Sequence, residues 1–135
     1  MNTQLNRDSI ERYSRQIVLK DIGIVGQKKI SDAKVLIIGA GGLGSPVAEF
    51  LSRAGIGLLG IIDNDRVTLS NLHRQSLYNT SDVGKFKVQV AKKKIKIINP
   101  NTKVKNYKIR LTEKNFIKII NDYDYIVDGS DNFLT

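Results

Sequence analysis

Two hydrophobic periods alternate along the chain. Short, almost continuous apolar runs occur at 34–38 (KVLII), 58–62 (LLGII) and 125–128 (YIVD). They read as buried strands of a parallel sheet, because a sheet covered on both faces leaves no room for polar alternation. Between them apolar residues recur every three or four positions. Residues 43–54 predict a helix that Gly55-Ile56-Gly57 breaks. Residues 85–98 predict a longer one, capped by Ser81-Asp82, with Val88, Ala91, Ile95 and Ile98 inward and Asn99-Pro100-Asn101 as its stop. Thr112 caps a third, which runs to 120, and 102–109 alternates as a strand. Upstream, Ile10, Tyr13 and Ile17 share one helical face, and Asp8-Ser9-Ile10-Glu11 resembles a capping box, so 9–19 is expected to be helical. A glycine-punctuated connection with a short helix at 27–31 follows. Residues 67–79 are polar and irregular, with a turn of helix near Leu72. The order predicts an α/β fold: a Rossmann-like open, mostly parallel sheet with helices on both faces, preceded by an N-terminal helical segment. The segment is placed at 1–33 and the core at 34–135, as one domain with no repeat, linker or low-complexity stretch.

Composition narrows the classes. The 135 residues are 41% hydrophobic and 26% charged, as in a globular protein with a real core. No apolar run approaches the length of a membrane span, and the polar start MNTQLNRDSIERYSRQ is no secretory signal. No membrane partner is therefore expected, and a cytoplasmic location is. The absence of cysteine excludes disulfides, a thiol nucleophile and thiolate metal sites within these residues. A net charge of +9 raises the question of nucleic acid. Much of the excess lies in KKKIK, however, where Lys92, Lys93 and Lys96 share the solvated face of one helix. No nucleic-acid module accompanies them, and nucleic acid is not expected as a partner.

The candidate chemistry begins at the end of the first strand. Gly39, Gly41, Gly42 and Gly44 follow it directly and open a helix. Glycines there permit the tight turn, the approach of backbone to phosphate, and close helix–strand packing. The helix N-terminus offers free N–H groups to an anion. Asp63 closes the second strand, where an acid accepts from a ribose hydroxyl. This pattern indicates a nucleotide and leaves NAD, FAD and ATP open. GAGGLGS spaces Gly39 and Gly44 like a phosphate loop, but Ser45 stands where that loop has its lysine, so a triphosphate would need cations from elsewhere. Asp65, Asn71, Arg74 and Gln75 cluster just beyond. Arg74 suits phosphate oxygens, or equally a surface ion pair with Asp65. Lys87, just inside a helix start, is a second cation or an ordinary solvated lysine. Asp131, in VDGSDN after the last strand, is a candidate magnesium ligand or a turn aspartate. His73 has no identifiable partner.

The stretches RYSRQIVL, GQKKISDAKVLIIGAGGLGSPVAEFLSRAGIG, IIDNDRVTLSNLHRQSLY, VGKFKV, INPN and DGSDNFLT, taken in order, resemble the MoeB/ThiF family of the ubiquitin-activating-enzyme superfamily. The resemblance covers nearly the whole chain. It implies ATP- and Mg²⁺-dependent adenylation of the C-terminal Gly-Gly carboxylate of a ubiquitin-like sulfur-carrier protein, of molybdopterin or thiamine sulfur-transfer type, by a homodimer. It implies nucleotide contacts at Gly39, Gly41, Gly42, Gly44, Asp63, Asp65, Ser70, Asn71, Leu72, His73, Arg74, Lys87, Asp131 and Asn132. Catalytic roles fall to Arg15, Arg74, Lys87 and Asp131, with Arg15 reaching into the other subunit's site and Asp131 holding the metal. Neither Asp63 nor Asp65 is needed as a general base. Two departures stand out. Gly129 replaces a cysteine common in the family. The family's structural zinc, held by two CxxC pairs, has no ligands here, because the chain ends at DNFLT inside a motif; a truncated form is the expectation. Two rival readings remain: an NAD-binding oxidoreductase domain, which gives Arg15, Arg74 and Lys87 no joint purpose, and a non-catalytic ATP-binding, dimerising remnant.

Overall fold

Four parallel strands form one sheet: β1 (Lys34–Ile38), β2 (Leu58–Ile62), β3 (Lys103–Tyr107) and β4 (Tyr125–Asp128), in the spatial order β3-β2-β1-β4. The structure is a computed structural model and describes residues 4–131. Six helices accompany the strands among these residues: α1 (Arg7–Arg12), α2 (Ser14–Ile17), α3 (Gly23–Asp32), α4 (Gly44–Ala54), α5 (Lys87–Ile98) and α6 (Glu113–Ile120).

The apolar runs are continuous because both sheet faces are covered. Val35 and Ile37 of β1 and Leu59 and Ile61 of β2 point to one side, into a core with Ala48 of α4 and Val88, Ala91 and Ile95 of α5. Leu36, Ile38 and Ile62 point to the other, against Phe116, Ile119 and Ile120 of α6. Each such side chain contributes roughly 1.5–3 kcal/mol by leaving water. The chain runs outward from β1 through β2 to β3, then returns to place β4 on the opposite flank of β1. The strand order therefore reverses between β1 and β4. Open α/β sheets bind ligands beyond the strand carboxyl ends at such a point.

The N-terminal helices clasp the far end of the sheet. Tyr13 is buried, and its hydroxyl accepts from Asn99 Nδ2 at 2.8 Å. The same Nδ2 donates to Ser52 O of α4 at 2.7 Å. Gln16 and Gln27 both donate to the Ala54 carbonyl, at 3.1 and 3.0 Å. Gln16 and Gln27 satisfy the Ala54 carbonyl, one of those the end of α4 leaves without an intrahelical partner, and Asn99 adds a second donor to Ser52 O beside the Gly55 N–H.

Several sequence expectations need correction. The helix expected at 9–19 is two short helices broken at Tyr13, and its cap is Asn6, which accepts from Ser9 N, rather than Asp8. The short helix at 27–31 is the ten-residue α3, because Gly23 and Gly26 are taken into the helix. Ser81-Asp82 does not cap α5. Those residues lie in a separate 3₁₀ turn, Thr80–Asp82, capped by Asn79, and α5 begins after extended Phe86. The strand expected at 102–109 is shorter, at Lys103–Tyr107. Thr112 caps α6 as expected, in a capping box with Asn115, and Lys92, Lys93 and Lys96 are exposed on α5.

Candidate functional site

The loops that leave the four strands surround a cleft of about 740 Å³. Gly39, Gly41 and Gly42 line it after β1, and Asp63, Asn64 and Asp65 after β2. Ile109, Arg110 and Leu111 follow β3, and Gly129, Ser130 and Asp131 follow β4. Arg74 and Gln75 come from the long β2–α5 connection, and Lys87 from the start of α5. Ile38, Ile62, Ile109 and Leu111 give the cleft an apolar part; the glycine loop supplies backbone N–H groups, and Arg74, Lys87 and Arg110 three cations.

The glycine loop is held from three sides. Asp63 Oδ2 accepts from Ala40 N at 2.8 Å, and its Oδ1 accepts from Asp65 N at 2.7 Å. Each oxygen keeps a further lone pair for a ligand. The Ala40 carbonyl accepts from the Tyr78 hydroxyl at 2.6 Å and from Ser45 Oγ at 3.2 Å. Burial, and then the nearby Asp63 charge, push the Tyr78 hydroxyl well above the usual tyrosine range, so it remains a donor. Gly44 is buried and turns α4 onto the loop: a Cβ there would strike the Gly39 carbonyl. It shapes the loop and does not line the cleft. Ser45, in place of a phosphate-loop lysine, is a buried brace.

The cations of the cleft come from outside the glycine loop. Lys87 is 5% exposed at the first position of α5, and its ammonium lies 3.8 Å from Asp65 Oδ2. This buried ammonium has one carboxylate partner among the described residues, itself largely exposed, and it borders the cleft where a helix N-terminus already favours an anion. Arg74 is exposed and does not pair with Asp65. It donates to Ser70 O at 3.1 Å and lies along Gly42.

The other expected residues divide. Ser70, Asn71, Leu72 and His73 do not line the cleft. Asn71 accepts from Thr68 N and, through its carbonyl, from the N–H groups of Arg74 and Gln75, so it holds the turn that carries Arg74. Leu72 packs on the core. His73 is exposed, with Nε2 3.4 Å from Arg74 Nη1. Arg15 is exposed on α2 and outside this cleft. Asn132 lies outside the described residues. Asn64, Arg110 and the apolar lining from Ile109 and Leu111 are additional: they occupy the strand-end positions to which the chemistry of open sheets points.

A family model described as "ThiF family" matches residues 13–135. The sulfur carrier protein adenylyltransferase of Thermus thermophilus is 46% identical over 129 residues, which is 96% of this chain and 48% of that protein. A probable adenylyltransferase/sulfurtransferase MoeZ of Mycobacterium tuberculosis is 45% identical over 97% of this chain and 33% of its own length. Among solved structures, the Escherichia coli tRNA N6-threonylcarbamoyladenosine dehydratase TcdA in complex with ATP superposes with a TM-score of 0.87. It is 28% identical and covers 96% of this chain and 53% of that one. The chain thus spans half or less of the curated relatives it matches here.

Proposed function

The chain belongs to the ThiF family, whose matched relatives are adenylyltransferases, and on that premise we propose that it forms the ATP site of such an enzyme. The reaction is adenylation of the C-terminal Gly-Gly carboxylate of a ubiquitin-like sulfur carrier. The observation that carries this reading is the convergence of the glycine loop, Arg74 and buried Lys87 on one cleft. A dinucleotide needs no such pair of cations; a triphosphate without a phosphate-loop lysine does.

In this reading the apolar part of the cleft takes the base, and the free lone pairs of Asp63 accept from the ribose. The N–H groups of the loop, Arg74 and Lys87 hold the phosphates. The carrier carboxylate attacks the α-phosphorus, an acyl-phosphate bond forms and the bond to pyrophosphate breaks. No protein nucleophile or base is required. The protein contributes position and charge neutralisation, and Lys87 exchanges Asp65 for a phosphate oxygen. Asp131 lines the cleft and is exposed. One hard carboxylate oxygen suits Mg²⁺, which keeps most of its shell for water and phosphate. No cluster of three or more metal-ligating side chains occurs among the described residues, and Mg²⁺ needs none. When bound, the ion would neutralise phosphate charge. Arg15 acts in this reading from a second subunit of a homodimer; exposed Val18 and Leu19 just after its helix, and Ile24 and Val25 on α3, support a contact there.

Calorimetry with Mg·ATP and with NAD tests the nucleotide. Binding of Mg·ATP is expected; binding of NAD with none of Mg·ATP overturns the reading in favour of an oxidoreductase domain. Carrier-dependent ATP–pyrophosphate exchange tests the chemistry. ATP binding without exchange, when the chain is joined to the remainder of a relative's length, favours a binding module instead.

A further inference from the structure

Charge is not spread evenly along this chain. Residues 85–110 hold ten lysines and arginines and no aspartate or glutamate. The rest of the chain has twelve basic residues against thirteen acidic ones, so this one segment accounts for the net charge of +9. A uniformly lysine-rich composition would distribute the excess; here it is segregated. In the fold the segment is one flank of the molecule, α5 packed against the edge strand β3.

Part of that charge is neutralised locally. Lys85 and Lys94 pair with Asp82, Lys87 with Asp65, and Lys105 with Asp122. Lys92, Lys93 and Lys96 are exposed and have no carboxylate partner among the described residues. Together with Gln89 and Ile97 they recur at helical spacing and form the outer face of α5. Lys92 and Lys96 stand one turn apart, where like charges weaken a helix, so the fold gains nothing from them. Ile97 lies among them with 81% of its surface exposed. An apolar side chain ringed by charge has the anatomy of a protein-binding patch, an apolar centre and a polar rim.

Nucleic acid fits this flank less well than protein. All but one of the ten cations are lysines, point charges without the fork with which arginine grips phosphate. The segment's two aromatic rings are already covered, so neither offers a face to a base. Phe86 lies under Arg66 at 3.8 Å and Lys108 at 4.1 Å, and Tyr107 lies under Lys105 at 5.5 Å. The flank also leads to the cleft: Lys87 opens α5, Arg110 follows β3, and both line it. From Lys87 to Ile97 is about 15 Å of helix, which an extended tail of about five residues spans.

We propose that the outer face of α5, with Ile97 at its centre and Lys92, Lys93 and Lys96 around it, docks an acidic protein whose C-terminal tail enters the cleft. The partner is the carrier of the adenylation reading above, on which this inference rests; what is added is the carrier's acidic surface and its place on the molecule. Opposite charge speeds the encounter and sets the register, and apolar contact slows release.

The test titrates the chain into a fluorescently labelled Gly-Gly sulfur carrier that has an excess of Asp and Glu, and reads anisotropy. Affinity is expected to fall about tenfold between about 0.05 M and about 0.3 M salt. The triple variant Lys92→Glu, Lys93→Glu, Lys96→Glu should weaken binding at least about tenfold at the lower salt. A control triple, Lys20→Glu, Lys114→Glu, Lys118→Glu, makes the same change in net charge at exposed positions elsewhere. It should weaken binding less than about threefold. Ile97→Ser should weaken binding about fivefold at both salt concentrations, because apolar contact is not screened. All the variants are at exposed positions, so their melting temperatures should stay near that of the wild type. Equal losses in the two triple variants would mean that net charge acts rather than this face, and would overturn the proposal. So would Ile97→Ser that binds like wild type, or a single-stranded oligouridine that binds the flank more tightly than the carrier at the same salt. Wild type that binds Mg·ATP but not the carrier overturns this proposal alone. Carrier binding with the expected variant pattern, but no binding of Mg·ATP, overturns the nucleotide reading and leaves the docking face standing.

Discussion

Asp82 is a carboxylate whose protonation should weaken this fold in acid. It is 6% exposed; its Oδ2 accepts from Asn79 N at 3.0 Å, and it pairs with Lys85 at 3.4 Å and Lys94 at 3.7 Å. Burial pushes its carboxyl up, but the Asn79 N–H and the two ammonium groups together outweigh that and hold it below its ordinary 3.8. In the unfolded chain the group takes up its proton near 3.8; in the folded chain it does so at lower pH. Its contribution is therefore fully present well above 3.8 and is lost as pH falls through that value towards the folded one. Tyr78 and Tyr123 have the opposite sign at the other end. Both are raised above 10.0, chiefly by burial, so their contribution is present below pH 10 and fades above it. Urea denaturation against pH should show a broad plateau with two falling limbs, and Asp82→Asn should lower the plateau and flatten the acid limb. An unchanged acid limb in that variant would refute the assignment. At this scale the cleft lining was legible in part: Gly39, Gly41, Gly42, Asp63, Asp65, Arg74, Lys87 and Asp131 line it, whereas Arg15, Gly44 and 70–73 do not. Glycines after a strand, an acid at the next strand end and a lysine at a helix start have fixed meanings. Arg110 was not legible as a cleft residue, because it lines the cleft only through a strand order that spacing along one chain does not give; Asn64, between Asp63 and Asp65, was passed over because an uncharged amide carries no signal of its own.

Helices of the N-terminal segment depend on contacts distant in sequence. Asn99, the residue that ends α5, is fully buried and reaches Tyr13 Oη and Ser52 O through Nδ2 while its Oδ1 accepts from Asn101 N. It ties α1 and α2 to the ends of α4 and α5. Asn99→Ala leaves the Ser52 carbonyl and the Asn101 N–H without these partners, and should cost about 2–3 kcal/mol of global stability at ordinary hydrogen-bond magnitudes. Amide exchange across α1 and α2 should rise more than across the sheet. A loss below about 0.5 kcal/mol would mean that the clasp does not carry stability. Sequence periodicity located the strands and the long helices, since those patterns are local. It misplaced two caps for a physical reason. Asn79 and Asp82 form a capping box around one 3₁₀ turn, and such a box looks the same in sequence whether a long helix or a single turn follows. It also shortened α3, because Gly23 and Gly26 read as breaks, whereas the docking of Gln27 on Ala54 is a tertiary event.

Edges distinguish the two flanks of the whole molecule. At one, β3 exposes Lys103 and Lys105, charges of the kind that keep an edge strand from pairing with another chain. At the other, β4 exposes Tyr125 and Ile126, and α4 adds the exposed Phe50 beside an apolar hollow formed with Pro46, Val47 and Leu51. Tyr125 pairs in register with Val35, whose side chain packs on the α4 side of the sheet, so strand edge and helix leave apolar surface at the same flank. Among the described residues, one edge carries charges and the other apolar side chains. The chain should therefore associate through the β4 flank into species larger than the proposed dimer, against the repulsion of its +9 charge. Screening weakens that repulsion and leaves apolar attraction intact. Sedimentation velocity should thus show more of these species at about 0.5 M salt than at about 0.05 M, opposite to the trend for an ion-paired contact. Ile126→Lys places on β4 the kind of charge that β3 already carries. At a half-exposed position its effect on stability should stay within about 1 kcal/mol, yet it should remove the larger species and spare the dimer. Association that survives Ile126→Lys, or that weakens as salt rises, would locate the contact elsewhere.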